Sequence, residues 1–458
     1  MNEARTIVPR VLRSKQAGPV ALLLIIALGL GLRLGEAWDG RPPVFDAAAY
    51  ARIAGNLERG EGFTLGPQAT QPASNYSPGL PLLAAGFYRL TGGVHERSAR
   101  VALALLGTLS ILFSFLIARR LAGTGAGLVA AAAVAIYPSL IEYQGMLMGE
   151  PLAASLLSGA VLALLWAEAG SQRARYVLPG ALLGALALLR PEFLGVSALL
   201  ALVVLVSGPR GAWRGSVPNA LLLLAGVAVV VAPWTARNAV ALDRFVPVST
   251  GGGQVLFAGN YLPSGGDPED VGREVLERHP GLTRRLAIEY LPSDTALEHG
   301  ATSQERVEAV LERLRLEQIL AALARQRYPG SEADRALARM GRERLWHAVS
   351  DEPLDYAGFL AAKTWRLWGH GPRRVMREPV WEVLHWLLLT LALIGLVRLA
   401  ARRRWEALLL GLTLLAITAA AALLVASPRR ALVALPLVAA LAGVGATACR
   451  DSLARWLR

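Results

Sequence analysis

Residues 97–120 are RSARVALALLGTLSILFSFLIARR, and no charged residue occurs between Arg100 and Arg119. An apolar α-helix needs roughly 20 residues to cross the hydrocarbon core of a bilayer, so this stretch predicts a transmembrane helix. Further apolar blocks of comparable length follow one another along the chain. The sequence therefore predicts an all-α polytopic membrane protein with about ten transmembrane helices, which we assign to 18–37, 97–120, 124–142, 151–168, 176–190, 192–207, 216–235, 381–400, 405–425 and 431–448.

The composition agrees with a membrane protein and not with a set of soluble domains. Of the 458 residues, 54% are hydrophobic and 18% are charged, whereas soluble domains carry roughly 25% charge. The net charge is +13, and arginine supplies nearly all of the positive charge because lysine occurs only at Lys15 and Lys363. The basic residues mostly flank apolar blocks, so the expected anionic partner is lipid and not nucleic acid. The single cysteine, Cys449, cannot form an internal disulfide.

The arginines in the loops predict the orientation of the chain. If the N-terminus is cytoplasmic, the short loops on the opposite side contain only Arg190, Arg429 and Arg430, and the cytoplasmic loops contain far more arginine. By the positive-inside rule, both termini of this multi-pass protein lie in the cytoplasm and the membrane is the plasma (inner) membrane. We predict an uncleaved first helix and not a signal peptide, because no clear cleavage site follows the basic start at Arg5, Arg10, Arg13 and Lys15.

Two long polar stretches then lie outside the cell. They divide the chain into an N-terminal transmembrane catalytic module (1–237), which includes the outer loop 38–96, an extracytoplasmic helical segment (238–380) and C-terminal transmembrane helices (381–458). No internal repeat is visible, which weakly disfavours transporters built from two matching halves.

Hydrophobic periodicity predicts short helices inside both polar stretches. In the first stretch, Asp46–Glu58 is amphipathic and Leu80–Leu90 is predicted to lie at the membrane surface. In the second, a Gly- and Pro-rich loop is predicted at Ser249–Gly266. The helices predicted to follow this loop are Glu305–Gln326, Glu332–Val349 and Pro353–Trp368.

Two carboxylates begin predicted helices at the outer face, Asp46 just after the first span and Glu150 directly before Pro151. A structural explanation is available for each, because an acid in the first turn caps free N–H groups and interacts favourably with the helix dipole. The functional alternative is that Asp46 acts as a general base, or orients an incoming hydroxyl or amine, and that Glu150 converges on it. The local sequence does not separate these explanations.

Arginines at the outer ends of the spans raise a similar question. Arg190 and Glu192 interrupt an apolar stretch, where ionisable groups are costly and tend to be paired or functional. Arg429 and Arg430 follow Pro428 in a tight turn, and arginine binds phosphate in bidentate fashion. A lipid phosphate would account for them, and so would simple anchoring to headgroups. The same alternatives apply to Arg237.

Other kinds of site find no support in the sequence. None of the six histidines has the spacing of metal ligands, so no metal-binding residue is assigned. The sequence contains no Walker motif, no Gly-rich phosphate loop after a strand and no convincing Ser-His-Asp set. A cytosolic nucleotide is therefore not expected as a direct substrate.

Several stretches resemble polytopic glycosyltransferases of the GT-C class, in particular the group of protein O-mannosyltransferases and aminoarabinose transferases. Residues 45–50 (FDAAAY) are similar to the first outer loop of that class, in which an Asp begins a juxtamembrane helix. Residues 76–83 (YSPGLPLL) resemble its proline-containing segment before the second span, and 148–152 (MGEPL) resemble its acidic-Pro-Leu start of the fourth span.

The resemblance continues through 189–192 (LRPE), 233–238 (PWTARN), 244–250 (RFVPVST) and Gly259-Asn260. Residues 429–436 (RRALVALP) resemble the Arg-Tyr-x-x-Pro-x-x-Pro turn of the class, but an aromatic residue and one proline are missing. The similarity covers most of the chain and is poorest over 263–330.

The resemblance implies that a sugar on a polyprenyl phosphate is transferred, with inversion, to an acceptor lipid, glycan or protein at the outer face of the membrane. Asp46 would be the catalytic base, and Glu150 would assist near the acceptor or a metal. No cofactor is implied with certainty, and the need for a divalent metal stays open. The donor phosphate would be bound by Arg429, Arg430, Arg237 and Arg190, and substrate by Tyr50, Tyr76, Glu192 and Asn260.

Two other functions are compatible with a chain of this kind. A multi-spanning transporter or lipid flippase would carry ionisable groups in mid-membrane and broken helices in matching halves. A non-catalytic scaffold would use 238–380 as a binding surface. The charges gather at the outer ends of the predicted spans, which favours an enzyme.

Overall fold

The computed structural model describes residues 17–66, 72–207, 213–265, 267–291 and 302–457. The basic start of the chain, on which the orientation prediction partly rests, lies outside these ranges. Within them, the one β-pairing is an isolated bridge between Thr64 and Pro72, and the regular structure is otherwise helical. The prediction of an all-α protein is confirmed.

Seven helices are long and apolar enough to cross a bilayer among the described residues. Each corresponds to a predicted span. They are α1 (Ala17–Trp38), α4 (Glu96–Ala122), α7 (Glu150–Ala169), α10 (Trp213–Leu242), α18 (Pro379–Arg402), α19 (Arg404–Leu423) and α21 (Leu435–Trp456), the last preceded by the single turn α20 (Pro428–Ala431).

The three remaining predicted spans have different forms. The span 124–142 is a bent pair, α5 (Thr124–Ile136) and α6 (Pro138–Glu142), with an angle of 56° between its parts. The helices α8 (Val177–Leu189) and α9 (Phe193–Ser207) have 13 and 15 residues. At a rise of 1.5 Å per residue they are roughly 20 Å long, shorter than the roughly 30 Å hydrocarbon core. The helix α8 ends at Leu189 because Pro191 disfavours a helical backbone at Arg190, the residue before it.

A buried arginine stabilises the bend between α5 and α6. Pro138 has no N–H, so the carbonyl oxygens in the last turn of α5 lose helical donors. Arg33 of α1, which is 1% exposed, supplies the missing donors: its Nη2 donates to Val134 O at 2.8 Å and its Nη1 to Ala135 O at 3.0 Å. The bend is therefore fixed by a side chain from another span.

The first polar stretch contains both of its predicted helices, α2 (Phe45–Glu58) and α3 (Gly79–Leu90). Ile53 and Ala54 on the apolar face of α2 are fully buried, and α2 packs against α3. These contacts hold Asp46, in the first turn of α2, close to the ends of the spans.

The 238–380 segment has a hydrophobic core of its own, which includes Phe257, Val271 and Ile319. The predicted helices Glu332–Val349 and Pro353–Trp368 are confirmed as α16 and α17. The helices of the segment are α11 (Gly252–Gly259), α12 (Pro268–Arg278), α13 (Pro280–Tyr290), α14 (Ser303–Arg313), α15 (Leu316–Arg327), α16 (Ala333–Asp351) and α17 (Pro353–Trp368).

Two predictions for this segment are wrong. Glu305–Gln326 is not one helix, because the helical conformation is interrupted at Leu314 and Arg315. The helix α15 then begins with a hydrogen bond from the Arg315 N–H to the Gln318 side chain. Ser249–Gly266 is not entirely loop, because α11 occupies Gly252–Gly259. Of the glycines that suggested a loop, Gly253 allows α11 to pack closely against the backbone of α16, and Gly259 lies against the backbone of Leu424.

Replacing Arg33 with leucine should destabilise the protein, because the carbonyl oxygens of Val134 and Ala135 would stay buried without a donor. Each unsatisfied group costs about 1–3 kcal/mol. We expect a lower melting temperature in detergent than for the wild type. The control is Arg120→Leu, which removes an exposed arginine at the end of α4. Equal melting of the Arg33 and Arg120 variants would contradict this role.

A charged cavity at the ends of the spans

A cavity of about 470 Å³ lies where α2, α7, α15 and α20 approach one another. Eight of the ten site residues named from the sequence line its wall, and the loop before α11 also contributes to it. The polar and charged residues that line the cavity include Asp46, Tyr50, Asn75, Tyr76, Ser77, Glu150, Arg190, Glu192, Ser249, Thr250, Gln254, Glu317, Arg429 and Arg430.

Glu150 lies between two guanidinium groups at the inner side of the cavity. Its side chain is 2% exposed, and its Oε1 accepts a hydrogen bond from Arg190 Nη2 at 2.7 Å. The same oxygen forms an ion pair with Arg429, whose Nε lies 2.7 Å away. It is also the first residue of α7, with Pro151 next, so the positive end of the helix dipole favours its charge. The burial of this carboxylate is compensated by two short ion pairs.

The ion pairs continue on both sides of Glu150. Arg429 Nη2 lies 3.3 Å from Asp46 Oδ2, and Arg190 Nη1 lies 3.4 Å from Glu192 Oε1. Glu192 Oε1 also accepts from Arg430 Nη1 at 3.3 Å. The result is a row of alternating charges, which we call the charge network: Asp46, Arg429, Glu150, Arg190, Glu192 and Arg430.

Asp46 and Glu150 differ in exposure and in how closely the arginines contact them. The Asp46 side chain is 48% exposed, and its contacts with Arg429 are long, at 3.3 and 3.4 Å. Glu150 is enclosed and engaged at 2.7 Å on two sides. Asp46 is therefore open to a molecule in the cavity, whereas Glu150 fixes the arginines in place.

Two tyrosines from the first polar stretch complete this part of the wall. The rings of Tyr50 and Tyr76 meet edge to face with their centroids 5.8 Å apart. Burial raises the pKa of Tyr76 to about 12, and it also raises the pKa of Tyr50. Both phenols therefore stay protonated at neutral pH and can donate hydrogen bonds.

Glu317 of α15 is a lining residue that sequence reasoning missed. Its carboxylate accepts from Asn75 Nδ2 at 3.2 Å and from Tyr76 Oη at 3.5 Å. Burial raises the pKa of Glu317, and the nearby Asp46 raises it further. Glu317 lies in the part of the chain with the poorest family resemblance. The only sequence signal near this residue is the helix interruption just before α15.

Two residues named from the resemblance are outside the cavity. Arg237 lies over the rings of Phe63 and Trp234 and donates to Asn238 Oδ1 at 3.0 Å. Asn260 is fully buried and tied to the protein by three hydrogen bonds: its Nδ2 donates to two backbone carbonyls, and its Oδ1 accepts from Tyr356. Their predicted roles in phosphate and substrate binding are not supported by these contacts.

Arginines engage most carboxylates of the charge network. Within the described ranges, no three His, Cys, Asp or Glu side chains are grouped as metal ligands. The oxygens of Glu150 and Glu192 already accept from arginines, which leaves Asp46 as the open carboxylate of the network.

Comparison with known families confirms the resemblance to GT-C glycosyltransferases. Residues 73–236 match the model of the dolichyl-phosphate-mannose-protein mannosyltransferase family. The matched residues include Tyr76, Glu150, Arg190 and Glu192, whereas Asp46 and both cavity arginines of α20 lie outside them. A search of curated protein sequences finds no match.

Two structures of archaeal oligosaccharyltransferase share the fold of this chain. The oligosaccharyltransferase of Archaeoglobus fulgidus in its apo form superposes with a TM-score of 0.57 at 18% identity, over 97% of this chain and 52% of that one. The same archaeal enzyme, AglB, in complex with an inhibitory peptide and a dolichol-phosphate gives a TM-score of 0.56 at 17% identity, over 96% and 51%. This chain thus spans about half the length of those enzymes. ArnT from Cupriavidus metallidurans bound to undecaprenyl phosphate gives a TM-score of 0.43 at 16% identity, over 95% and 78%.

Substituting Glu150 by glutamine should strongly destabilise the protein, because Arg190 and Arg429 lose the charge between them. Removing one partner of a buried ion pair costs roughly 3–5 kcal/mol. The melting temperature in detergent should fall well below that of the wild type. As a control, Glu343→Gln breaks an exposed ion pair with Arg339 and should change the melting temperature little. Wild-type melting of the Glu150 variant would show that the network does not hold this end of the bundle together.

Proposed function

We propose that this protein transfers a sugar from a polyprenyl-phosphate donor to a hydroxyl acceptor in the cavity. One observation carries the proposal: an open carboxylate, Asp46, lies beside arginines held by enclosed carboxylates. The matched family is named for a dolichyl-phosphate sugar donor, and the AglB complex holds a dolichol-phosphate, which supports a lipid phosphate as the donor group.

The arginines would bind the donor phosphate. A guanidinium carries five N–H donors, and the ion pairs of Arg190 and Arg430 use only part of them. Because Glu150 and Glu192 already balance their charges, these arginines can be half-buried in the empty protein without a large cost. A phosphate that entered the cavity would receive fixed, charge-assisted hydrogen bonds.

Asp46 would act as the general base. The acceptor oxygen attacks the anomeric carbon, and its proton passes to the Asp46 carboxylate. The bond between that carbon and the phosphate oxygen breaks, and its electron pair stays on the phosphate, whose growing charge the arginines stabilise. No general acid is needed, because phosphate is a good leaving group. A single displacement of this kind inverts the anomeric configuration.

Glu150 would serve as a positioning residue in this scheme. It pairs with both Arg190 and Arg429, and its side chain is only 2% exposed. Its assistance would thus consist of orienting Arg190 and Arg429.

The cavity would open at the outer face of the plasma membrane. The arginine bias of the sequence favours cytoplasmic termini, and Asp46 follows the first span directly. A lipid-linked donor in the outer leaflet would then reach the arginines from the bilayer. Transport is not favoured, because the charge network lies at helix ends: Glu150 begins α7 and Arg190 directly follows α8.

Asp46→Asn should abolish sugar transfer, because an amide cannot accept the acceptor proton. General-base catalysis contributes about 10²–10⁴ in rate, and we expect a loss of at least that order. Transfer of radiolabelled sugar by purified protein measures the effect, with expression and membrane insertion unchanged. Asp39→Asn, at an exposed position after α1, is the matched control. Wild-type turnover by the Asp46 variant would rule out its role as base.

Replacing Arg429 and Arg430 together by alanine should raise the donor KM. A charge-assisted hydrogen bond is worth about 1.5–3 kcal/mol, so the rise should be on the order of tenfold to a hundredfold. Steady-state kinetics with varied donor lipid provides the test. The control removes two exposed arginines by Arg374→Ala and Arg377→Ala. An unchanged dependence on donor concentration would remove the arginines of α20 from the phosphate site.

A further inference from the structure

We infer that Glu317, Asn75 and Tyr76 form an acceptor subsite that binds a neutral carbohydrate through its hydroxyl groups. The inference rests on the proposed function, because it takes Asp46 as the base that meets the acceptor. Neither the family match, which begins at residue 73 and ends at 236, nor the motifs of the sequence include Glu317.

Two groups of side chains line the cavity wall, and Asp46 lines the same cavity. One group is the charge network with its three arginines. The other contains Glu317 and its donors Asn75 and Tyr76. Asp46 pairs with Arg429 and lines the same cavity as Glu317, Asn75 and Tyr76. If the arginines bind the donor phosphate, then Glu317, Asn75 and Tyr76 are left to bind the acceptor.

The second group is built from both polar stretches of the chain. The Thr250 N–H donates to Ser74 O at 2.7 Å, and the two hydroxyls of these residues are 3.2 Å apart. Gly251 has a φ of +90°, and it brings the loop before α11 against Asn75. Glu317 lies in the first turn of α15, next to the fully buried Ile319 and Leu320. The subsite is therefore held by packed elements and not by a single loop.

The chemistry of these groups suits hydroxyls. A sugar hydroxyl both donates and accepts hydrogen bonds, and a carboxylate, an amide and a phenol together offer both kinds of partner. Ser77, Ser249, Thr250 and Gln254 also line the cavity and extend the polar wall. Such a spread of partners fits several hydroxyls on one ring better than the single hydroxyl of a serine or threonine side chain.

The charges of the wall disfavour an anionic acceptor. Among the described residues, no arginine or lysine forms an ion pair with Glu317. Arg315 is the basic neighbour of Glu317, and Arg429 already pairs with Asp46. A phosphate or carboxylate on the acceptor would still face the carboxylates of Asp46 and Glu317, and like charges at short distance repel. A neutral glycan avoids this cost.

The test uses octyl glucoside, octyl galactoside and octyl mannoside as acceptor probes, beside a phosphorylated glycoside, an alkyl amine and a serine/threonine peptide. Glu317→Ala should raise the KM for the preferred octyl glycoside at least tenfold and leave the donor KM unchanged. Glu317→Gln, which keeps one acceptor oxygen, should lose less. Glu312→Gln, at an exposed position of α14, is the control.

Direct binding of the octyl glycosides, measured by calorimetry without donor, separates the two proposals. Binding by the wild type that Glu317→Ala weakens supports the subsite even if no donor is turned over, an outcome that would count against the proposed function alone. Equal glycoside affinity of wild type and Glu317→Ala would overturn the inference. So would a preference of the wild type for the phosphorylated glycoside, the amine or the peptide.

Discussion

The structure depends on one buried carboxylate, Glu150, that lies between the guanidinium groups of Arg190 and Arg429. A charge in this position is costly unless it is paired, so the first turn of α7, the turn after α8 and the turn α20 must meet at one point. Because Arg429 also reaches Asp46, the same interaction connects the first polar stretch to the last span. The cavity exists because these elements converge.

The sequence predicts most of the fold, for physical reasons. Apolar stretches long enough for a bilayer can be recognised without tertiary information, and all ten predicted spans correspond to helices, although α8 and α9 are short and the span from 124 is bent. Helix breaks are harder to predict, because they depend on partners: Arg33 stabilises one of them from another span. The glycines of α11 signalled a loop, but their lack of a side chain serves close packing.

The site could be predicted only in part. Charged residues at the ends of apolar stretches are conspicuous, and this is why Asp46, Glu150 and the cavity arginines could be named from the sequence. Their pairing could not, because it arises from helices far apart in the chain. Arg237 and Asn260 also occur in family-like motifs. However, Arg237 stacks on an aromatic ring, and the Asn260 side chain hydrogen-bonds to backbone carbonyls. Glu317 carries no motif and becomes visible only when α15 packs beside the first polar stretch.

The central claim is that this cavity cleaves a polyprenyl-phosphate sugar. The most direct measurement incubates the purified wild-type protein with a panel of polyprenyl-phosphate sugars and detects the free lipid phosphate by mass spectrometry. We predict release from at least one donor of the panel, together with a glycosylated product when an acceptor is present. Failure to release lipid phosphate from any donor, with a folded protein and acceptor supplied, would contradict the claim.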